Sequence, residues 1–535
     1  MQELPAGVQH FPMIRKDNLL YVDKTGQLLS LIRQGRRFFL SRPRRFGKSL
    51  TISTLAAMFS AQQELFRGLA AETWVKQESS HPVILLDLSA LSSCSTPQDL
   101  ESALVIYLQK QARLHKLSLH AAPKADLMLS DLLNAAFQKS GPLVLLIDEY
   151  DKPILDNIDN AERAQALRNV LRSFYSVLKS HDDQLRFLFI TGISKFTKVG
   201  VFSALNNLVD ISLMRKFSDI VGYTQTELES NFSEYINNSS KDLNLSQANV
   251  LELLKKYYDG YSFDGETKLY NPFSILNFFI SSELKNYWYD SGSPTFIVQW
   301  MKKHHIQSPD SYRDKTVPLD FTTCHEMEMS EPENFLFQSG YLTIKNKKND
   351  QYILDYPNQE VLISLSRMFL LSLYRLDTYS TFGNDIWQAL GKGDIQELAH
   401  ILNRALASIP YEDFSGRNEF WYRSLFLMLL RGANILAQAE VHTSLGRSDV
   451  TIFFKHLIFV LEFKFAKCST DVPKMRVKGM EQLKTKHYTK AYLDKKPHLV
   501  QAILIADDEK REVLAYPWEE AMDSSNTGNT KASYQ

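Results

Sequence analysis

Three stretches of this chain carry residues of the types and spacings that do chemistry. The first is Ser41-Arg-Pro-Arg-Arg-Phe-Gly-Lys-Ser-Leu50. A loop that ends in Gly-Lys-Ser and opens a helix surrounds a phosphate with backbone N–H groups; its lysine reaches the outer phosphates and its hydroxyl holds magnesium. Lys48 and Ser49 fill those two roles, and Gly47 lets the backbone approach closely. Arg42, Arg44, Arg45 and Phe46 complete the loop. Arg42 stands where such loops open on glycine, and Pro43 is placed to set the turn instead. From Arg33 to Lys48 seven residues are basic (Arg33, Arg36, Arg37, Arg42, Arg44, Arg45, Lys48) and none is acidic. That favours an anionic ligand over a solvated face. The bland alternative is a helix that happens to begin with Phe-Gly-Lys-Ser.

The second stretch is Leu143-Val-Leu-Leu-Ile-Asp-Glu-Tyr-Asp151, an apolar run that stops in carboxylates. Ligands of open α/β sheets bind at the carboxyl ends of strands. Asp148 is therefore expected to face the loop and hold magnesium, mainly through water, with Glu149 polarising the attacking water. A strand that merely ends in solvated acids is the competing explanation. Arg186-Phe-Leu-Phe-Ile-Thr-Gly-Ile-Ser194 is another buried run with a polar exit, where Thr191 or Ser194 would sense the terminal phosphate.

The third stretch is Ser448-Asp-Val-Thr-Ile-Phe-Phe454 followed by Leu457-Ile-Phe-Val-Leu-Glu-Phe-Lys-Phe465. A hairpin centred between Lys455 and His456 sets Asp449 opposite Glu462 on one face, with Cβ atoms about 5 Å apart. Lys464, two residues on, points to that same face. Lys-His is a poor two-residue turn, but any loop with that centre keeps the register. Two acids and a lysine suit metal-assisted phosphodiester cleavage: Asp449 and Glu462 as hard oxygen ligands for magnesium, Lys464 orienting water or stabilising developing charge. Glu440 and, more remotely, Glu419 would add carboxylates. The alternative is a surface acid–lysine pair. Glu462 argues against it, because an unpaired carboxylate inside an apolar strand is costly. From Lys474 to Lys496 eight residues are Lys or Arg and two, Glu481 and Asp494, are acidic, a balance that suits a phosphate backbone.

The elements that must position these residues change along the chain. Residues 1–220 alternate short apolar runs (37–41, 83–88, 143–147, 186–190) with helical patterns, as in a parallel α/β sheet with helices on both faces. Residues 221–375 read as a mostly helical, aromatic-rich linking region with a small hairpin around residues 346–350. Residues 376–522 read as a second α/β domain, in which a helix from Glu419, three strands, a helix and another strand follow in order. The polar stretch 523–535 reads as a disordered tail.

With Tyr21-Val-Asp-Lys-Thr25, Ile147-Asp-Glu-Tyr-Asp-Lys-Pro153, Thr191-Gly-Ile-Ser-Lys195, Tyr258-Asp-Gly-Tyr-Ser-Phe263, Tyr270-Asn-Pro-Phe-Ser274 and Ser339-Gly-Tyr-Leu-Thr343 added to the loop, the chain resembles the bacterial AAA-ATPase-like proteins over nearly its whole length. In these a P-loop ATPase domain precedes a PD-(D/E)XK nuclease-like domain. The resemblance implies ATP and Mg²⁺ as cofactors, makes an arginine-rich loop a family trait, supports the Asp449–Glu462–Lys464 trio, and adds Gln482 as a helix residue facing that site.

Composition narrows the rest. The chain has 535 residues, 44% hydrophobic and 23% charged, with formal net charge zero. Any nucleic-acid site must therefore be a local patch. Three widely spaced cysteines, Cys94, Cys324 and Cys468, exclude a disulfide framework and a zinc ribbon, and Cys324-His325 reads as ordinary packing. With no leader pattern at the N-terminus and no apolar run of membrane-spanning length, the expected location is cytoplasmic. The leading expectation is an ATP-regulated, magnesium-dependent nuclease acting on nucleic acid, DNA ahead of RNA, with room for a homo-oligomer. The competing class is a nucleotide-dependent switch that binds nucleic acid or protein without cutting. Whether Asp449, Glu462 and Lys464 share one solvent-facing pocket discriminates between them, three separated side chains favouring the switch.

Overall fold

The computed structural model describes residues 1–120, 124–195, 201–202, 205, 207–290, 306, 308–322, 332–376, 382–409, 417–443, 446–486, 488, 492 and 498–518. The tail 523–535, Cys324, His325, and Lys490, Asp494, Lys495 and Lys496 of the basic run lie outside them. The chain forms two compact units, Met1–His305 with Ser311–Leu362, and Ile306–Asp310 with Ile363–Gln535.

The first unit is built on a five-stranded parallel sheet of β1 (Arg37–Ser41), β2 (Val83–Asp87), β3 (Leu143–Asp148), β4 (Leu185–Gly192) and β5 (Val209–Asp210), in the order β2-β3-β4-β1-β5. All six residues of β3 are buried, as a strand covered on both faces requires. The period of two sorts the strands onto two helical layers. Phe39, Leu145, Ile147, Leu188 and Ile190 enter one core with Leu100, Leu104, Leu129, Leu132 and Leu171 of the helices Pro97–Leu114, Ala125–Ser140 and Ala161–Ser176. On the other face Phe187 meets Phe59, the last residue of the helix Lys48–Phe59, at 5.1 Å between ring centroids. Asp87 and Asp148 are register partners at the carboxyl ends of β2 and β3.

The hairpin expected around residues 346–350 is present in the same unit. Strands β7 (Thr343–Lys348) and β8 (Gln351–Asp355) turn through Asn349-Asp350, both with positive φ, as a tight hairpin turn needs. A strand not read from the sequence, β6 (Lys315–Pro318), pairs with β8.

The second unit carries a mixed sheet in the order β13-β12-β11-β10-β9: β9 (Leu436–Thr443), β10 (Gly446–Phe454), β11 (Leu457–Ala466), β12 (His498–Asp507) and β13 (Glu512–Pro517). The last, an antiparallel edge strand beside β12, is also additional to the sequence reading. The β10–β11 hairpin turns at Lys455-His456, with Val450 opposite Leu461 and Phe454 opposite Leu457, the expected register. Lys455 takes φ +50° to close it. The helix Glu419–Gly432 covers one face, with Phe426 against Phe463 at 5.7 Å. The helix Val472–Lys486 crosses between parallel β11 and β12 and covers the other, through Val472 and Leu483 on Val460 and Ile503.

Candidate active sites

The phosphate loop joins β1 to the helix Lys48–Phe59. Gly47 caps that helix at φ +92°, a conformation costly for any residue with a Cβ. The loop's arginines part company. Arg42 is 1% exposed. Its guanidinium donates to the carbonyls of Ser41 (2.9 Å), Ser212 (2.6 Å) and Phe217 (3.3 Å) and lies 3.9 Å over the Phe263 ring. Burial lowers its pKa to about 9. It was expected to bind the ligand, but its donors are turned into the protein, where they clamp residues far along the chain. Arg45, exposed and at φ +66°, rests its guanidinium on the Phe273 ring at 4.8 Å. Phe46 is buried edge-on against Tyr261. The half-buried Arg44 offers its carbonyl to the Trp288 indole at 3.3 Å.

Lys48 is buried, and its ammonium donates to the carbonyls of Arg42 and Pro43, both at 3.0 Å. Burial lowers its pKa, opposed by Asp148, Glu149 and Asp151 in turn. Burial raises the Asp148 carboxyl, while the Ser49 hydroxyl bonded to it and Lys48 draw it down. Glu149 sits at φ +47°, a strained conformation for glutamate, with its amide on Asp148 Oδ1 at 3.0 Å. The structure thus gathers Lys48, Ser49, Asp148 and Glu149 at one end of the sheet. A buried ammonium hydrogen-bonded to neutral carbonyls, beside a hydroxyl–carboxylate pair at a helix N-terminus, fits a nucleotide phosphate with its divalent cation. A cleft of about 630 Å³ borders Ser49, Ser53, Asp87, Asp148 and His10.

Thr191 does not join this group through its side chain. It is fully buried, and its hydroxyl donates to the Leu40 carbonyl at 2.8 Å, tying β4 to β1. Asp151, given no role from the sequence, accepts from the amides of Ile193 (3.1 Å) and Ser194 (2.6 Å), and burial pushes its carboxyl up to about 6. It latches the acidic turn onto the end of β4. Gly192 makes room for it, since a Cβ there would collide with Asp151 and the Tyr150 ring.

In the second unit Asp449, Glu462 and Lys464 converge. Lys464 Nζ donates to Glu462 Oε1 at 2.5 Å and to the Phe463 carbonyl at 2.8 Å. Glu462 is 1% exposed, and its Oε2 is buried with no hydrogen-bond partner among the described residues. Burial and then the facing Asp449 carboxylate push its carboxyl up to about 8, against the pull of Lys464. An orphaned carboxylate oxygen beside a second acid fits a divalent cation. No group of three or more metal-ligating side chains gathers among the described residues. Asp449, the most open of the three, accepts from Arg423 on Oδ1 (3.0 Å) and from the Phe463 amide on Oδ2 (2.8 Å). Each oxygen keeps a second lone pair.

Arg423 was missed by sequence reasoning. It comes from the helix on the opposite face of the sheet and also grips Glu440 at 3.0 Å; its one sequence signal is its place four residues after Glu419. Glu419, whose pKa is raised by burial, lies within the field of Lys464 and Asp449. Gln482 donates to the Tyr488 hydroxyl at 3.0 Å, and Tyr488, also missed, lies within the field of Glu462 and Asp449.

A parallel sheet with a phosphate loop at the carboxyl end of its strands, followed by a hairpin–helix–strand unit with acids and a lysine on one face, defines a P-loop ATPase-like protein with a nuclease-like domain. Comparison with known proteins agrees. Residues 5–202 match the family described as predicted AAA-ATPase, and residues 417–516 match the PD-(D/E)XK nuclease superfamily. The chain is 34% identical over 507 residues to the "Uncharacterized protein in vnfD 5'region" of Azotobacter chroococcum mcd 1, covering 92% of this chain and 94% of that protein. It belongs to the AAA-ATPase-like family, and it carries both domains. A solved structure, the Aeropyrum pernix ORC1 protein in complex with DNA, aligns with 64% of this chain and 92% of its own at 9% identity and TM-score 0.23, too slight a likeness to carry an argument. No described helix is long and apolar enough to cross a membrane.

Proposed function

We propose that this protein binds ATP with Mg²⁺ in its first unit and cleaves nucleic-acid phosphodiesters with Mg²⁺ in its second, under nucleotide control. The observation that carries the nuclease reading is the buried Glu462 oxygen with no hydrogen-bond partner among the described residues, on a carboxyl that faces both Asp449 and Lys464. Asp449 and Glu462 would hold the metal. When bound, it supplies a Lewis acid for the scissile phosphate and a more acidic water. Arg423 holds Asp449 in place from behind, Lys464 sets a cation where negative charge develops, and Gln482 with Tyr488 bounds the site on the helix side. In the first unit Lys48 would exchange its two carbonyl partners for phosphate oxygens, Ser49 and Asp148 would hold the cation, and Glu149 would orient water. DNA is the favoured substrate over RNA, the location cytoplasmic, and a homo-oligomer compatible with both sites.

One observation favours the second reading, a nucleotide-dependent switch that binds without cutting: both Asp449 oxygens already have hydrogen-bond donors. Plasmid DNA and structured RNA, incubated with the purified chain in Mg²⁺ with and without ATP, separate the two. The nuclease reading expects cleavage that Lys464→Ala abolishes, and an ATP effect that Lys48→Ala removes. Intact ATP binding with no cleavage of either substrate would favour the switch.

A further inference from the structure

The helix Val472–Lys486 has a second working flank. Lys478 and Gln482 lie toward Glu419 and Tyr488. On the opposite flank Pro473, Arg476, Val477, Met480, Glu481 and Lys484 line a cleft of about 630 Å³ whose far wall is Tyr516 and Trp518, at the end of edge strand β13. Val477 is 68% exposed, a large fraction for an apolar side chain. Arg476 lies 4.5 Å over the Tyr516 ring. The half-buried Trp518 is anchored by its backbone N–H on the Gln501 carbonyl at 2.8 Å.

What covers this groove follows from its charge. Arg476 and Lys484 line the groove beside one acid, Glu481, and the same helix also exposes Lys474, Lys478 and Lys486, in a chain of zero net charge. None of the five cations forms an ion pair with a described residue. An apolar peptide would leave them unpaired. A polyanion with flat apolar faces satisfies both halves of the surface, and an unpaired nucleotide is that chemistry: phosphates on the lysines, the base against Trp518, Val477 and Met480. Paired bases present only edges and cannot enter. The groove lies two strands, about 10 Å, from β11 with Glu462 and Lys464, a short span for an oligonucleotide.

Resting on the proposed nuclease reading, we propose that the groove between the helix Val472–Lys486 and β13 is a subsite for an unpaired base, so that the enzyme prefers single-stranded or frayed nucleic acid.

The test is binding of a fluorescein-labelled oligothymidylate and of a labelled duplex to the full chain in EDTA, where metal-dependent cleavage is absent. Trp518→Ala and Val477→Asp are compared with the unaltered protein; Val477 is exposed, so its substitution does not threaten the fold. The expected result is about a tenfold loss of single-strand affinity in each variant, with duplex affinity changed little. Equal losses on both ligands, or no loss on either, would overturn the subsite while leaving the nuclease reading standing. No binding of either ligand by the unaltered protein would sink both. A dimer by sedimentation that Val477→Asp dissolves would also overturn the proposal, because the groove would then be a self-association surface.

Discussion

Arg42 and Lys48 are buried cations of one loop, held in opposite ways. Arg42 donates to carbonyls from Ser212 and Phe217 as well as its own neighbour. Removing it strands buried acceptors, so Arg42→Ala should lower stability by about 3 kcal/mol, read in the denaturation midpoint. Lys48 holds only the loop's own carbonyls. Its removal also strands two carbonyls but relieves a buried ammonium of its desolvation cost, so Lys48→Ala should move the midpoint less than Arg42→Ala yet weaken ATP binding at least about tenfold, measured by calorimetric titration. Glu462 sets a pH dependence. Its carboxyl is held protonated up to about 8 in the fold, while the unfolded chain releases that proton near pH 4.3 (roughly,). Between those values the native state binds more protons, so the contribution of this carboxyl to stability falls as pH rises from about 4 to about 8. Glu462→Gln is neutral throughout and loses the slope. In EDTA it should melt above the unaltered protein at pH 8 and level with it near pH 4; parallel melting curves would show that the carboxyl carries no such proton.

Two helical glycines show how elements meet. Gly479 faces β12 so closely that a Cβ would lie 3.0 Å from Ile503 Cδ1 and Cγ2. The glycine lets the helix carrying Gln482 settle on the sheet. Gly479→Val should cost about 2 kcal/mol by overpacking, with reduced activity as Gln482 is lifted away. Gly391 has nothing nearer than Phe454 at 4.0 Å. Gly391→Ala should be neutral or stabilise by up to about 1 kcal/mol. Both glycines read alike in the sequence, as weak points in helical patterns. The neighbour across the gap decides which one is needed, and that neighbour is 24 residues from Gly479 along the chain.

At the scale of the molecule, the second unit takes in five residues, Ile306–Asp310, from within the sequence of the first. Asp310 receives both terminal nitrogens of Arg431, at 2.9 and 3.0 Å, and Arg431 is 1% exposed. A fragment beginning at residue 363 lacks Asp310 and keeps the arginine. It should be less stable than the same unit in the full chain by about 3–5 kcal/mol. Asp310→Ala in the full chain, followed by chemical denaturation, isolates the effect, and Arg431→Met with Asp310→Leu should recover much of it. What the sequence by itself determined is local: apolar runs ending in Asp148 and Thr191, a helix opening at Lys48, and a hairpin whose centre pairs Asp449 with Glu462, because strand period and turn centre act over a few residues. Tertiary structure alone decided that Arg42 clamps rather than binds, that Arg423 reaches Asp449 from the far face, that Tyr488 meets Gln482, and that Asp310 belongs with Arg431. Those choices rest on which distant group satisfies a buried charge, and no local pattern specifies that partner.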